Sequence, residues 1–244
     1  MNLAPCTLPL MLICAIDTSG REGSLALAEA SEQSFEVLQS TAIAGGTYSA
    51  RLVPTLSDAL RRAGKEKSEI GLLAIASGPG SFTGLRVGLS TVKALAEVLR
   101  VPVVAISVLE AIAFAAGKRG TVLTALDAQR NEVFVGEFEV GDSGSIKTLA
   151  EALVPADALA GVRSRSMVEI LHTPDASIRA RLREAGFVTE QVARPAAEVY
   201  ARLGLLKYRA GECAPVESLD ANYIRRSDAE IFSAPKLGIK TGKE

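Results

Sequence analysis

The 244-residue sequence has no tryptophan, one histidine and three cysteines, and its 27 basic side chains are balanced by 28 acidic ones. Each scarcity excludes something. A lone histidine, His172, rules out a histidine-rich metal site. Cys6, Cys14 and Cys213 are an odd set without a close-spaced pair, which fits neither a disulfide framework nor a zinc knuckle. A formal net charge of −1 gives no global field to draw in phosphate backbones. Any nucleic acid would therefore be held mainly by a partner. No apolar run reaches the roughly 20 residues that span a bilayer. The first ten residues carry no lysine or arginine and so lack the basic start of a secretion signal. A cytoplasmic protein without membrane attachment is expected. Met11 stands directly before the first strand-like run, so translation could begin there as well as at Met1.

What is present is organised around two similar openings. Leu12-Ile13-Cys14-Ala15-Ile16-Asp17 is a short apolar run ending in a carboxylate, followed by the polar turn Thr18–Gly23 and the run Ser24–Ala28. Val122–Asp127, the polar stretch Ala128–Glu132 and Val133–Phe138 repeat the scheme. At an offset of 110, Ala15 matches Ala125, Ile16 matches Leu126, Asp17 matches Asp127 and Glu22 matches Glu132. Both read strand, turn, strand. A repeat of this length implies two lobes of like topology. Two such lobes resemble the α/β fold of actin, hexokinase-type sugar kinases and heat-shock ATPases, with duplicated βα lobes whose paired hairpins hold the phosphates and metal of ATP across a cleft. Asp17, Thr18, Ser19 and Asp127 are then candidates for a phosphate or nucleotide site. The alternative is that each carboxylate caps a strand-end turn.

Leu72–Ala76 reads as a buried strand, and Ser77-Gly78-Pro79-Gly80-Ser81-Phe82-Thr83-Gly84 as a turn feeding a helix that runs to about Leu99. Glycines at a helix start expose amides that suit an anion, which adds Gly78 and Gly80 to the candidates. The match to a Walker loop fails, because no Lys-Ser/Thr follows the last glycine. A plain tight turn is the alternative. Arg86, Ser90, Lys93 and Glu97 lie within about 60° of arc on the helix, and nearly all else is apolar or small. That exceeds the core-facing stripe of about 100° that a solitary surface helix needs, so cover on two sides is expected. Gly84 and Gly88, one turn apart, leave room for a close neighbour. A preceding helix over Ser49–Gly64 carries Leu52, Leu56, Ala59, Leu60 and Ala63 as its apolar stripe, Pro54 in or near its first turn, and an Asp58–Arg62 pair. Segments near Ser177–Gly186 and Ala196–Gly211 read as helical. His172, before Thr173-Pro174, reads as an exposed loop residue. A mobile tail is expected from Ser233.

Four stretches together resemble the TsaB (YeaZ-type) family: Ile13–Ser19, the long run Gly78-Pro79-Gly80-Ser81-Phe82-Thr83-Gly84-Leu85-Arg86-Val87-Gly88, then Leu126–Phe134, and Tyr223-Ile224-Arg225-Arg226. They are correctly ordered and span most of residues 11–226. The resemblance implies a non-catalytic subunit of the bacterial complex that forms threonylcarbamoyladenosine beside the anticodon of ANN-reading tRNAs. It would pair with a TsaD-like catalytic subunit, and the pair would recruit a TsaE-like ATPase. It would form a homodimer when alone and meet tRNA only indirectly. ATP or ADP with magnesium would lie at the complex interface, with none held by this chain alone. By the same resemblance the partner-binding helices present Leu52, Leu56, Leu60, Leu85, Gly88, Leu89, Val92 and Leu95, within an N-terminal lobe of residues 1–106 that is followed by a C-terminal lobe of residues 107–244.

The resemblance also separates family members. TsaD shares the Gly-Pro-Gly turn but carries a His-x-x-x-His metal motif after the next strand, here Val101–Ile106. Val108 and Ile112 stand where the imidazoles would be, and aliphatic side chains have no lone pair to offer. Glu110 is explained by a helix N-terminal position. Two departures from the TsaB pattern are Tyr48-Ser49, where His-Ser is commoner, and Asn131 in place of a glycine, which is tolerable because Asn accepts positive φ. The rival readings are an ATP-dependent small-molecule kinase, a degenerate metallopeptidase and an autonomous RNA-binding module. For the last, Arg61, Arg62, Lys65, Arg225 and Arg226 are balanced by acids, and no aromatic stacking platform stands out.

Overall fold

In the computed structural model, which describes residues 10–165 and 168–222, the apolar runs build two five-stranded sheets of like connectivity. The first contains β1 (Met11–Asp17), β2 (Glu22–Ala30), β3 (Phe35–Ala44), β4 (Ile70–Gly78) and β5 (Val103–Ser107), ordered β3-β2-β1-β4-β5. The second contains β6 (Gly120–Asp127), β7 (Glu132–Val140), β8 (Ile146–Pro155), β9 (Ile170–Thr173) and β10 (Val188–Gln191), ordered β8-β7-β6-β9-β10. In each, three strands form an antiparallel meander and two more add in parallel beside the first. The expected duplicated two-lobed α/β fold of the actin and hexokinase kind is what forms.

Layering follows from which faces are apolar. β1 lies mid-sheet and is buried on both faces, hence its near-continuous apolar run. Its Leu12, Cys14 and Ile16 pack under α1 (Tyr48–Ala63) and α2 (Phe82–Leu99), while Ile13 and Ala15 face inward. Between the sheets lie α3 (Val108–Ala115) and α6 (Ala197–Arg209), and α4 (Leu159–Arg165) and α5 (Arg179–Glu184) cover the outer face of the second sheet. The strands divide near residue 106, but α6 comes from the second half of the chain and packs on the first sheet. The segment after it does likewise. The Ala214 N–H donates to the Val103 carbonyl, Leu219 and Ala221 join the core beneath α2, and the Asn222 N–H donates to the Ser77 carbonyl.

The helices start and stop where their chemistry directs. Ser81 caps α2, its hydroxyl accepting the Gly84 N–H, and Gly64 closes α1 at φ 64°. Two expectations fail locally. Pro54 is interior to α1 rather than in its first turn, on an exposed side shared with Ala50, whose carbonyl loses its helical partner to solvent. Asp58 pairs with Arg61 at 2.7 Å instead of Arg62. The stretch near Ser177–Gly186 becomes a 3-10 turn leading into α5, and Ala196–Gly211 becomes α6. Tyr223–Arg226 and the tail from Ser233 lie outside the described residues.

The central helices are stapled by charge. Glu110, in the first turn of α3 and 3% exposed, receives the Lys207 ammonium of α6 at 2.8 Å, and Lys207 also meets Glu212 at 3.0 Å. Burial pushes the Glu110 carboxyl above its ordinary range and Lys207 offsets this only in part. Burial alone would lower Lys207, but its two carboxylate partners raise it. Lys207→Met leaves an uncompensated buried carboxylate and should cost about 3–5 kcal/mol at neutral pH. A carboxyl raised on folding contributes stability that is present below its unfolded pKa and lost as pH rises through the folded one. The deficit of Lys207→Met relative to wild type should therefore shrink as pH falls toward 5, as urea denaturation at several pH values will show.

Candidate functional site

The ends of the parallel strands and the two hairpin turns meet in a cleft of about 1740 Å³ between the lobes. Its first-lobe wall is the β1–β2 turn, the start of α1 and Pro79–Val87; its second-lobe wall is Leu126–Arg130 with Asp175 and Ser177. Arg194, just before α6, and Asn222 complete it.

The first wall is held by sterics. A Cβ on Gly80 would lie 2.3 Å from the Ser19 carbonyl oxygen, one on Gly84 2.0 Å from that of Thr18, and one on Gly88 2.3 Å from Thr18 Oγ1. The glycines thus let α2 and its leading turn lie directly on the β1–β2 turn, the close neighbour that their spacing predicts. Two of the amides at this helix start are already used: the Ser81 N–H donates to the Ser19 carbonyl at 2.7 Å and the Gly84 N–H to Ser81 Oγ at 3.3 Å. Tyr48 occupies the α1 start as packing, its hydroxyl donating to the Gly20 carbonyl at 2.8 Å.

Asp17 lies behind this turn, 2% exposed, its Oδ1 accepting the Ser19 N–H at 2.8 Å. Burial raises its carboxyl, an effect offset in part by Ser19 and by the charge of Arg194. Arg194 Nη2 donates to Ser19 Oγ at 3.1 Å. In the second lobe Asp127 makes the same turn, Oδ1 accepting the Gln129 N–H at 2.9 Å, with Ser177 Oγ donating to Oδ2 at 3.1 Å and Arg181 at 3.6 Å. Gln129, Arg130 and Asn131 follow at φ of 63°, 50° and 62°, so Asn131 does take the left-handed conformation expected of it.

The two acids nevertheless do not converge. Side chains alternate along a strand, so Asp17 shares the face of Ile13 and Ala15, toward α6, whereas Asp127 shares that of Leu123 and Ala125, toward α5. The offset of 110 joins residues on opposite faces. Of the candidate phosphate residues, Ser19, Gly80 and Asp127 are on the cleft wall; Asp17, Thr18 and Gly78 are behind it. A magnesium nucleotide does not fit this donor set. The buried acid already has a guanidinium beside it, and the Ser19, Ser81 and Gly84 amides are committed.

A model of the family described as "TsaD: tRNA N6-adenosine threonylcarbamoyltransferase" matches residues 18–193. The chain belongs to this family. Within it the chain is of the TsaB/YeaZ type. It is 27% identical over 230 residues to the tRNA threonylcarbamoyladenosine biosynthesis protein TsaB of Bacillus subtilis (strain 168), covering 90% of this chain and 96% of that protein. The Escherichia coli (strain K12) protein of the same name is 33% identical over 100 residues, 40% of this chain and 43% of that one. Among solved structures, YeaZ from Pseudomonas aeruginosa superposes with a TM-score of 0.71 at 26% identity, covering 87% of this chain and 99% of that one.

For a TsaB/YeaZ-type chain the position of α3 and of the helical face matters most. Val108 and Ile112 are fully buried in the core between the sheets, holding lobes together with no donor atom to offer a metal. Most of the expected partner-facing residues need correction. Leu52, Leu56, Leu60, Leu85, Gly88, Leu89 and Val92 are buried, turned toward their own sheet or turn, and Leu95 is half-buried. The stripe that looked surplus in the sequence is the one the lobe itself covers. What points outward is Val53 at 59% exposure, Phe82 at 41%, Val98 at 75%, and exposed Ala94. His172 also differs from expectation: it lies in β9 between β6 and β10, 3% exposed, its Nδ1 3.9 Å from Glu190. Arg194, invisible to motif reading, is the functional-site residue the sequence leaves unmarked, since it meets Ser19 from 175 positions away. Among the described residues no helix is long and apolar enough to cross a membrane.

Gly84→Ala should cost about 3 kcal/mol in chemical denaturation because its methyl meets backbone. Gly161→Ala, with open space around it within α4, should be neutral or slightly stabilising. Burial lowers the His172 pKa below 6.5. The unfolded chain then takes the proton first, so this contribution is present above about pH 6.5 and lost as pH falls. Denaturation midpoints of wild type should drop more between pH 7.5 and 5.5 than those of His172→Gln.

Proposed function

We propose that this chain is the non-catalytic subunit of the complex that forms threonylcarbamoyladenosine beside the anticodon of ANN-reading tRNAs. It pairs with and activates a TsaD-like catalytic subunit, and the pair recruits a TsaE-like ATPase, in the cytoplasm. The observation that carries this reading is the chemistry of α3: where the catalytic relative carries two imidazoles, this helix has Val108 and Ile112, sealed in apolar core. Any ATP or ADP with magnesium belongs at the complex interface, since the Ser19, Ser81 and Gly84 amides of this chain are internally satisfied. The naming of the B. subtilis and E. coli relatives as threonylcarbamoyladenosine biosynthesis proteins supports the pathway.

The docking face is the outward side of α1 and α2, with Val53, Ala94 and Val98 exposed and Leu95 half-buried between core and surface. Large apolar groups there lose little by being exposed singly, but together they suit another helix pair. The same surface closes a homodimer when the partner is absent.

The test is pairing. The wild-type chain, expressed with its host's TsaD-like protein, should co-purify with it. Val98→Glu and Ala94→Glu should each weaken association about tenfold or more, with thermal unfolding unchanged because neither residue is in the core. Normal pairing by both variants would move the interface elsewhere, and no co-purification of wild type would end the subunit reading. Calorimetry of the isolated chain with Mg-ATP should show no binding; a clear isotherm would favour the kinase.

A further inference from the structure

We propose that the interlobe cleft receives an unpaired stretch of RNA directly, with phosphates on Arg21, Arg86 and Arg194 and a base stacked at Phe82. The inference rests on the subunit reading for the identity of that RNA as a tRNA loop, and it replaces the expectation of purely indirect contact.

Size is the first argument. Small-ligand pockets are commonly about 300–1,000 Å³, and this cleft is larger at about 1740 Å³. It suits a segment of polymer better than one nucleotide, and the Ser19, Ser81 and Gly84 amides of its first wall are in any case bonded within the chain.

Charge is the second. The cleft wall holds Arg21, Arg86, Arg130 and Arg194 against Glu22, Asp127 and Asp175. Two of these acids are internally engaged. Asp127 accepts from Gln129, Ser177 and Arg181, and Asp175 accepts the Asp127 N–H at 2.8 Å. Arg21 and Arg86 are not neutralised in the same way, and Arg194 is met only by the buried Asp17. Arg194 donates only to a hydroxyl, and its buried Nε has no acceptor. Arg21 and Arg86 make no ion pair among the described residues. A chain of net charge −1 therefore gathers guanidinium groups on one groove, with Arg21 and Arg86 free of ion pairs among the described residues, which is where a polyanion would gain most.

The cleft wall also carries an aromatic ring. Phe82, embedded in the glycine-rich run, is 41% exposed on the cleft wall, and the Arg86 guanidinium lies 3.7 Å from its ring centroid. This is the stacking platform that the sequence does not announce. A base on Phe82 must be splayed from its neighbours, so the occupant is single-stranded rather than a duplex, whose base faces are hidden.

Fluorescence anisotropy with the full chain at low salt tests this, using a labelled RNA hairpin with an unpaired loop, the matching full duplex, a polyglutamate peptide and Mg-ATP. The hairpin should bind and the duplex should bind at least tenfold more weakly. Phe82→Ala and Arg86→Ala should each weaken hairpin binding about tenfold. Arg21→Ala should also reduce the slope of log affinity against log salt by about 0.7. These exposed residues leave folding intact, which thermal unfolding verifies, and Arg61→Ala on the far side of α1 should change nothing. Equal binding of duplex and hairpin, displacement by polyglutamate or Mg-ATP as effective as by RNA, or indifference to all three cleft variants overturns the proposal. If RNA fails to bind while the TsaD-like partner still co-purifies, the cleft assignment falls alone; if RNA binds and no partner is captured, the subunit reading falls instead.

Discussion

The contact on which the rest depends is the seating of α2 and its leading turn on the β1–β2 turn, where Gly80, Gly84 and Gly88 have no room for a side chain against Thr18 and Ser19. Close packing of this kind has no tolerance: a methyl 2.0 Å from a carbonyl oxygen forces backbone to move. It sets where α2 starts, and so puts Phe82 and Arg86 on the cleft wall and Ala94 and Val98 on the outside. It also commits the Ser81 amide to the Ser19 carbonyl. One steric constraint thus takes the Ser81 amide away from any anion and shapes the two surfaces proposed to meet other molecules.

Duplication supplies the frame and divergence supplies the difference between the lobes. Both sheets have the same strand order, and both first hairpins open with an Asp whose carboxylate caps the amide two residues on. In the first lobe that acid is inward, buried and faced by Arg194; in the second it faces α5 and is tied to Ser177 and Arg181. Both are engaged by protein groups. The turn reading of Asp17 and Asp127 accounts for each without a ligand, and Arg21 and Arg86 rather than these acids are what the cleft leaves without an ion pair among the described residues.

Legibility in the sequence followed the range of the interactions. Helices α1 and α2 were readable because their apolar period, Gly64 and Ser81 act within a few residues, and the strand-turn-strand repeat was readable for the same reason. The face of the repeat was not: a strand has period two, so a match at an even offset pairs opposite faces whenever the structural register differs by one residue. His172 looked like a loop residue because β9 is four residues long, too short for a period, yet parallel neighbours on both sides bury it. Arg194 and the Lys207–Glu110 staple join positions separated by 175 and 97 residues, and nothing local marks either. The surplus apolar surface of α2 was real in composition but was assigned to the wrong side, because Thr18 and the sheet cover Gly88, Leu89 and Val92 from within.

The proposed division of labour between this chain and a catalytic relative can be reduced to what the start of α3 is asked to do. Imidazoles at the positions of Val108 and Ile112 would need solvent access to a metal and polar partners for their second nitrogens. Here both positions are fully buried beside Leu109, Ala111 and Ala113, in the core that unites the two sheets. Placing histidines there would bury unsatisfied polar atoms in the layer on which the lobes' union depends, a cost of about 1–3 kcal/mol for each. The helix either binds the lobes to one another or exposes donors to an ion. In this chain it does the first, and the proposed action passes to its outer helical face and to the guanidinium groups of its cleft.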